Sequence, residues 1–217
     1  MALVVITMEV SEVSPRRRTG RPLSFDREIA LDRALLEFWR HGYETTSIAD
    51  LTKAMGITAP SLYTAFGDKR RLFLEAMHRY VGDLAAIESR LAAAPTAFEG
   101  VQAMLLGAAI GFTGDATPRG CLLASATASG SDAAVEVQSA VSEVRRGIAA
   151  LLIERIGRDV LARILPASVD AVGLSDLVLA VVQGMSVLAR DGVPRERLLA
   201  MAAHAMVAWP DSNSDQL

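Results

Sequence analysis

Residues 42–73 read GYETTSIADLTKAMGITAPSLYTAFGDKRRLF. Two short segments with helical apolar periodicity lie on either side of a turn at Gly56, which is the arrangement of a helix-turn-helix. Glycine supplies the turn, and Pro60 fits the first turn of the second helix, where its missing N–H has no intrahelical partner to lose. The apolar positions expected inside the pair are Ile48, Leu51, Met55, Ile57, Leu62 and Phe66.

The spacing of this segment fits either a DNA-binding helix-turn-helix or two packed core helices. The residues on the outward side of the second helix distinguish these two interpretations. Tyr63 is a bulky residue on a helix that otherwise exposes small groups, and its hydroxyl could reach a phosphate. Lys69 lies in the first turn of the next helix, where a positive charge opposes the helix dipole, and a phosphate partner would explain it. Both residues favour the DNA-binding interpretation.

The same stretch closely resembles the signature of the TetR family of transcriptional regulators. The shared features are a glycine-aromatic turn, a threonine at the start of the second helix, a leucine-tyrosine pair, and a phenylalanine followed by a lysine. The resemblance covers about the first third of the chain. The matching segments are 42–51, 54–58, 61–69 and 72–73.

The resemblance implies a role for each matching position. Thr46 would hold a phosphate at the start of helix two, and Tyr63 and Lys69 would be further phosphate contacts. Because the side chains at 59, 64 and 65 are small, contacts with thymine methyl groups or readout of DNA shape would matter. The residues expected to face bases or the adjacent backbone are Thr58, Ala59, Ser61, Thr64 and Ala65.

Residues 1–24 lack helical periodicity, and we expect them to form a flexible basic arm. Members of the family often carry such an arm, which could follow the minor groove or the phosphates. The alternative is a solvated basic tail without fixed contacts. Residues 16–80 hold twelve Lys or Arg against eight Asp or Glu, whereas 81–217 hold ten against fifteen, and a basic front suits a DNA reader. The arginines of the arm are Arg16, Arg17, Arg18 and Arg21.

Composition and periodicity predict an all-α protein. Hydrophobic residues make up 51% of the chain and aromatic residues only 5%, so Ala, Leu, Val and Ile dominate, and Ala and Leu favour helices. We expect a helix-turn-helix DNA-binding domain of three helices over residues 25–70, and a helical bundle for effector binding and dimerisation over 71–217. One helix is expected from Lys69 to about residue 93. Further helices are expected at 97–113, 120–129, 132–158, 170–190 and 194–208.

Several classes of protein are excluded by the sequence. A single cysteine rules out an intramolecular disulfide and a cysteine-based zinc site, as expected in a reducing cytosol. The apolar stretches are interrupted by charges or glycines, so no membrane span is expected. There is no phosphate-binding glycine loop, nucleophile elbow or paired-carboxylate pattern. We expect a cytoplasmic protein with no cofactor, no metal and no enzymatic activity.

The resemblance implies that the C-terminal domain dimerises through its last two long helices, here near 170–190 and 194–208. We expect a homodimer on a palindromic double-stranded DNA operator, because such an operator requires a two-fold symmetric protein. The alternative is that the apolar faces of these helices are monomer core. The faces are marked by Val178, Val181, Val182, Met185 and Leu188 on the first helix and by Leu198, Met201, Ala202 and Ala205 on the second.

The resemblance also implies a small-molecule effector whose binding would release a repressor from DNA, and we expect its pocket among helices 97–129 and 170–190. The few ionisable residues in these helices suggest a neutral or apolar effector. Met and aromatic side chains adapt to such ligands. The candidate ligand-binding residues are Met104, Leu105, Phe112, Cys121, Leu122 and Met185.

Two alternatives stay open at this point. The segment 118–123 resembles a subgroup with a Gly-Cys-Leu start to its sixth helix, in which some members sense electrophiles or oxidants through a cysteine. Cys121 could be such a sensor, or it could be an inert core residue. The other alternative is a helical ligand-binding protein that has lost DNA recognition.

Overall fold

The computed structural model describes residues 25–125 and 132–210, and in these ranges the chain forms helices and no strands. The expected all-α fold is thereby confirmed. The helices are α1 (Arg27–His41), α2 (Ile48–Met55), α3 (Ala59–Phe66), α4 (Lys69–Val81), α5 (Leu84–Ala93), α6 (Ala97–Gly111), α7 (Leu122–Ser125), α8 (Asp132–Leu161), α9 (Ala171–Arg190) and α10 (Arg195–Val207).

Local caps set where the first four helices begin. Asp26, Ser47, Thr58 and Asp68 each accept hydrogen bonds from backbone N–H groups in the first turn of α1, α2, α3 and α4, respectively. Such caps satisfy N–H groups that have no partner within the helix. At the start of α2 the cap is a reciprocal capping box, in which the Asp50 carboxylate also accepts from the Ser47 N–H.

Aromatic rings hold α1 against α4. Phe38 and Phe73 are fully buried, and their rings meet edge to face with centroids 5.1 Å apart. Tyr43, in the turn after α1, meets Phe73 at 5.2 Å in the same way. Such contacts contribute roughly 0.5–1.5 kcal/mol each beyond the area they bury. They fix the orientation of the helix-turn-helix on its scaffold.

The expected single helix from Lys69 to residue 93 is wrong, because it is two helices with a break at Gly82-Asp83. Gly82 has a φ of 68° and ends α4 by donating its N–H to the carbonyl of His78. Asp83 then caps α5 by accepting from the N–H of Ala85. A left-handed glycine followed by a capping aspartate stops one helix and starts another within two residues.

A buried ion pair fixes the α5–α6 corner on α8. The guanidinium of Arg155 is paired with Asp159 one turn along α8, and it also donates to the carbonyls of Leu91 and Ala94 at 3.0 and 3.1 Å. The other carboxylate oxygen of Asp159 accepts from the N–H of Ala97 at 2.6 Å. Both charges are thus compensated by several hydrogen bonds, as buried charges require.

The helix-turn-helix and the C-terminal helices meet at one junction, formed by the end of α1, the segment before α7, and α9. The Trp39 Nε1–H donates to the carbonyl of Gly120 at 3.0 Å. Arg190 on α9 donates to the carbonyls of Trp39 and Cys121 at 2.8 and 3.3 Å. The N–H of Cys121 donates to Ser186 Oγ at 2.8 Å. One continuous core cluster runs across this junction.

The residues on the outward faces of α9 and α10 differ from those that the sequence predicted for a dimer interface. Much of the predicted set is core of this chain, because Val178, Val182 and Met185 and, on α10, Leu198 and Ala202 are buried within it. The residues that face outward lie one position away in register. On α9 these residues recur at alternating intervals of four and three positions, and all are exposed except Gly184, which is half-buried. On α10 the outward residues recur at the same intervals and are all exposed. The positions are Gly173, Leu177, Ala180, Gly184 and Val187 on α9, and Glu196, Ala200, Ala203 and Val207 on α10.

By length and apolarity alone, α9 is the one helix in the described ranges that could cross a membrane. Only 28% of its most apolar 18-residue window is buried inside this chain. A core helix of a soluble protein passes the same test, and α9 packs against α6, α8 and α10.

The junction predicts unequal effects for two glycine substitutions. Gly120 and Gly192 both have a left-handed φ, 79° and 86°, and alanine there costs about 1–2 kcal/mol in backbone strain. A Cβ on Gly120 would also lie 2.8 Å from Ser186 O and from Arg190 Cγ, whereas a Cβ on Gly192 meets nothing within 4 Å. We expect Gly120→Ala to lower the free energy of unfolding by about 1–3 kcal/mol more than Gly192→Ala.

Urea unfolding of both variants at one protein concentration measures this difference. Equal losses would show that the junction relaxes without strain, and would contradict the close packing of Gly120 against α9.

Candidate DNA interface and internal cavity

The turn of the helix-turn-helix is built as the sequence indicates. Gly56 is left-handed, with a φ of 70°, and its N–H donates to the carbonyls at the end of α2. Thr58 then caps α3, whose inner face consists of the buried Leu62 and Phe66. Leu51 and Met55 form the buried face of α2. The pair is therefore braced from inside, and the other side of α3 is left free.

The start and outer face of α3 lie at the surface. Thr58 and Thr64 are exposed, and 51% of the Tyr63 surface is accessible. Ala59, Ser61 and Ala65 are half-buried at the rim. The Thr64 hydroxyl donates to the carbonyl of Pro60 at 2.8 Å. The face that the sequence assigns to DNA is therefore exposed at Thr58, Tyr63 and Thr64 and half-buried at its other positions.

Thr46 is placed differently from the prediction. Its side chain is 1% exposed, and its hydroxyl donates to the carbonyl of Gly42 at 2.6 Å, so it stabilises the turn after α1 and cannot lie on a phosphate. The exposed residue at the start of α2 is the adjacent Ser47. The serine with an aspartate three residues later is a capping-box pattern in the sequence that could have identified Ser47.

Lys69 has partners within the chain. Its Nζ donates to the carbonyl of Glu44 at 3.2 Å and lies 4.5 Å from the centre of the Tyr43 ring. Partial burial lowers the pKa of Lys69 from its ordinary value, and the nearby Glu44 carboxylate opposes that change. A phosphate is therefore not needed to explain a cation at the start of α4. Lys69 is half-exposed and lies beside Tyr43, which belongs to the turn after α1.

The arginines expected in the arm, Arg16, Arg17, Arg18 and Arg21, lie outside the described residues. Two of the cations near the helix-turn-helix are paired with carboxylates of other helices. Arg27 forms a bidentate pair with Glu75, and Arg70 is paired with Glu136 on α8.

An apolar cavity of about 60 Å³ lies in the C-terminal helices. Three of the candidate ligand-binding residues, Met104, Phe112 and Cys121, line it, whereas Leu105, Leu122 and Met185 are not among its lining residues. Sequence reasoning missed the remaining walls, which come from α4, α5, α7, α8 and α9 and meet only through long-range packing. The further lining residues are Tyr80, Val81, Ile87, Leu123, Arg145, Ile148, Leu179, Val182 and Gln183.

Two residues of the cavity wall carry deeply buried polar atoms. Tyr80 Oη, which lies near the Cys121 side chain and the Leu122 backbone, and Arg145 Nε each have almost no accessible surface. Arg145 is held by its other end, where Nη2 donates to the carbonyl of Leu123 at 2.7 Å. Burial raises the pKa of Tyr80 well above its ordinary value, and the neighbouring Cys121 adds to the effect. The phenol therefore stays protonated at neutral pH.

The geometry defines a class of protein: a helix-turn-helix DNA-binding regulator whose reading head is joined to a helical domain with an internal cavity. Residues 30–76 match the bacterial regulatory proteins of the tetR family. The chain is 34% identical over 202 residues to the HTH-type transcriptional repressor ComR of Escherichia coli, covering 90% of this chain and 94% of ComR. It therefore belongs to the TetR family and is a DNA-binding transcriptional regulator.

Solved structures agree with this assignment. A cysteine-substituted variant of the TetR family regulator CifR, complexed with 26-base-pair operator DNA, has 43% sequence identity and a TM-score of 0.82, over 88% of this chain and all of that one. A TetR regulator from Rhodococcus has 40% identity and a TM-score of 0.58, over 85% of this chain and 99% of that one. Helix-turn-helix, fold and family were thus predicted correctly from the sequence.

The exposed Tyr63 hydroxyl yields a test of the interface. Tyr63→Phe removes one oxygen from a half-exposed side chain, so we expect no change in the free energy of unfolding. A hydrogen bond to a charged phosphate contributes about 1.5–3 kcal/mol, so DNA affinity should fall at least about tenfold. Fluorescence anisotropy with duplex DNA at several salt concentrations measures the loss, which should be similar for every sequence. Unchanged affinity would remove Tyr63 from the interface.

Proposed function

We propose that the protein is a homodimeric repressor that binds a palindromic operator and leaves it when a small molecule fills the internal cavity. The accessible outer face of α3 is the observation that carries the proposal. In support, ComR and BdcR of Escherichia coli, the latter 42% identical over 66 residues, are both named as transcriptional repressors. Such a protein works in the cytoplasm, where the DNA is.

On DNA, α3 would lie in the major groove with its first residues nearest the bases. Tyr63 and Lys69 would contact phosphates, and the arm arginines would follow the backbone or minor groove. Because the groove-facing side chains are short, discrimination would come from methyl contacts and DNA shape. Selection of bound duplexes from a random library tests this, and an operator without two-fold symmetry would contradict it. The residues assigned to bases or their adjacent backbone are Thr58, Ala59, Ser61 and Thr64.

The outward stripes of α9 and α10 support the homodimer. Their four-three spacing brings one row of residues along each helix, which is the spacing of packed helix pairs. Glycine and alanine at most of these positions permit close approach of a second copy. A symmetric four-helix bundle would cover the apolar side of α9 that this chain leaves open, and would set the two reading heads one helical turn of DNA apart.

A charge in the stripe should separate the copies. Leu177 on α9 and Leu161 at the end of α8 are both exposed leucines, at 49% and 87%. We expect Leu177→Glu to yield monomers in sedimentation experiments and to lower operator affinity by at least about a hundredfold, because an unpaired charge in an apolar interface is strongly unfavourable. Leu161→Glu is the matched control and should remain dimeric. Two dimeric variants would place the interface elsewhere.

Ligand release would use the contact between the cavity and the reading head. Tyr80 lines the cavity, and its ring meets that of Trp39 on α1 edge to face at 4.8 Å. A ligand that favours a different position of Tyr80 or Cys121 would favour a different orientation of α1. It would then shift the population towards a conformation whose heads are wrongly spaced for DNA.

A thiol switch at Cys121 is the second candidate. Cys121 is a free cysteine, 5% exposed, and it lines the same cavity beside Tyr80. A Michael acceptor that entered the cavity would form a bond from its terminal alkene carbon to Sγ, and the thiol proton would end on the neighbouring carbon. The added group would then occupy the cavity permanently.

Cys121→Ser distinguishes the two candidates. If the thiol is the switch, N-ethylmaleimide should release the wild type from DNA with one added mass on Cys121, and should leave the variant bound. If the cavity acts through reversible ligands, the variant should keep its response to them. Release of both proteins by the reagent at equal rates would eliminate the thiol switch.

A further inference from the structure

We infer that α1 sets the orientation of both helices of the helix-turn-helix through two arginines, Arg27 and Arg33. Each arginine donates to a backbone carbonyl at the C-terminal end of one of the two helices. They are positioning residues, because they act on DNA through the helices that they hold. The inference concerns the DNA binding of the protein and does not depend on the proposed dimer or effector.

Arg33 holds the end of α2. Its Nη1 donates to the carbonyl of Met55, the last residue of α2, at 3.2 Å. The same nitrogen also lies against the turn, since a Cβ built on Gly56 would be 3.3 Å from it. The guanidinium of Arg33 therefore contacts the point at which α2 ends and the turn towards α3 begins.

Arg27 holds the end of α3 and joins it to α4. Its Nη2 donates to the carbonyl of Ala65 at 3.4 Å, and its guanidinium carbon lies 4.4 Å from the centre of the Phe66 ring. Nη1 and Nη2 also donate to the two carboxylate oxygens of Glu75 on α4, at 2.5 and 2.7 Å. A bidentate pair of this kind fixes the plane of the guanidinium, so Glu75 orients Arg27 towards α3.

The two carbonyls are places where a cation is favourable. The last four carbonyls of a helix have no partner within the helix, and the helix dipole concentrates partial negative charge there. Met55 and Ala65 belong to these last four positions of α2 and α3. A positive charge supplied from α1 therefore stabilises both helix ends and fixes them to the same support.

These hydrogen bonds specify what the apolar inner faces of α2 and α3 leave open. Apolar contacts stabilise the packed pair but are not directional. A hydrogen bond weakens steeply when its angle departs from linear, so it restricts rotation and sliding of the helix that accepts it. Because α3 has only eight residues, a small rotation at its end displaces Thr58 and Tyr63 relative to the bases. Contacts to base edges carry the sequence information, so the orientation of α3 should determine selectivity.

Selectivity is the quantity that tests the inference. We define it as the dissociation constant for a shuffled duplex divided by that for the duplex recovered from the random library. Fluorescence anisotropy of the full-length protein gives both constants. A residue that contacts a phosphate changes both constants alike and lowers the slope of the salt dependence by about one. A residue that positions α3 changes the ratio.

Glu75→Gln separates positioning from general electrostatics, because the two predict opposite results. The change removes a negative charge, so long-range electrostatics alone would tighten binding to any duplex. Loss of the carboxylate that orients Arg27 should instead lower the selectivity about tenfold, which is the order of one mismatched base pair. Arg27→Met should have a similar effect. The double variant should lose no more than Arg27→Met, because both changes break one contact.

Further variants complete the test. Arg33→Met should also lower the selectivity about tenfold, since it frees the end of α2. Arg27→Lys keeps the charge but replaces the planar fork by a point charge, and should lose selectivity as well. Arg40→Met is the matched control, because Arg40 is an exposed residue of the same helix that pairs with Glu37 at 3.7 Å. Its loss removes one positive charge and should leave the ratio unchanged.

Three results would overturn the inference. Equal losses for both duplexes, with a lower salt slope, would show that the arginines contact phosphates. Tighter binding of Glu75→Gln to both duplexes with an unchanged ratio would show general electrostatics only. A lower Tm of Arg27→Met and Arg33→Met with an unchanged ratio would assign these arginines to stability alone.

The same measurements keep this inference separate from the proposed function. The wild type, titrated alongside, shows whether operator and shuffled duplex are distinguished, and each variant is compared with it. A monomeric protein, or one that no effector releases, would contradict the proposed function and leave the ratio between variants and wild type intact.

Discussion

The hydrogen bonds that join Trp39, the Gly120-Cys121 segment and Arg190 are the constraint on which the rest of the structure depends. They link α1 of the reading head to α9 through a segment too short to bend independently. The Arg190 guanidinium donates to carbonyls on both of the other elements, and the indole N–H of Trp39 is used as well. Hydrogen bonds to charged groups contribute about 1.5–3 kcal/mol each, and a broken one leaves a carbonyl unpaired at a buried site. The three elements are therefore expected to move together.

In the proposed switch, this constraint would couple the small cavity to the distant DNA interface. Cys121 and Tyr80 line the cavity, and both also touch the junction, one through its backbone and the other through the Trp39 ring. On the other side, Gly42 lies so close to α7 that a Cβ there would come within 2.8 Å of Ser125 O. A displacement at the cavity wall would therefore be passed on through close contacts to the turn that leads to α2. Packed interiors transmit such displacements because they contain few voids.

The sequence predicted what local chemistry determines. Gly56 was recognised as a turn and Pro60 as fitting the first turn of α3, because each acts on residues within one helical turn. The sequence did not predict features that depend on packing against other elements or on which side of a helix faces the core. A single glycine at 82 was not enough to indicate a break, and Thr46 could not be distinguished from Ser47 as the exposed residue. Several residues predicted for the dimer faces, such as Val178 and Met185, are core of this chain, since apolar residues occur on both sides of α9 and only the packed structure shows which side α6, α8 and α10 cover.

The residues that line the cavity show the same difference between what the sequence predicts and what only packing reveals. Met104, Phe112 and Cys121 could be proposed from side-chain type, but Arg145 lies on a helix that also carries Glu143 and Arg146 and there resembles a solvated residue. It shares the cavity wall with Tyr80, which lies 65 residues earlier in the chain, and periodicity does not encode that relation.

The energetics bear on how the proposed switch can work. Moving a two-state equilibrium from one extreme to the other takes about 5.5 kcal/mol of differential binding. In a proposed dimer two cavities share this requirement, so each bound ligand would have to favour the released conformation by about half of it. Because Tyr80 and Cys121 line the cavity and also touch the junction, a ligand that prefers one position of these side chains would act directly where the reading head is held.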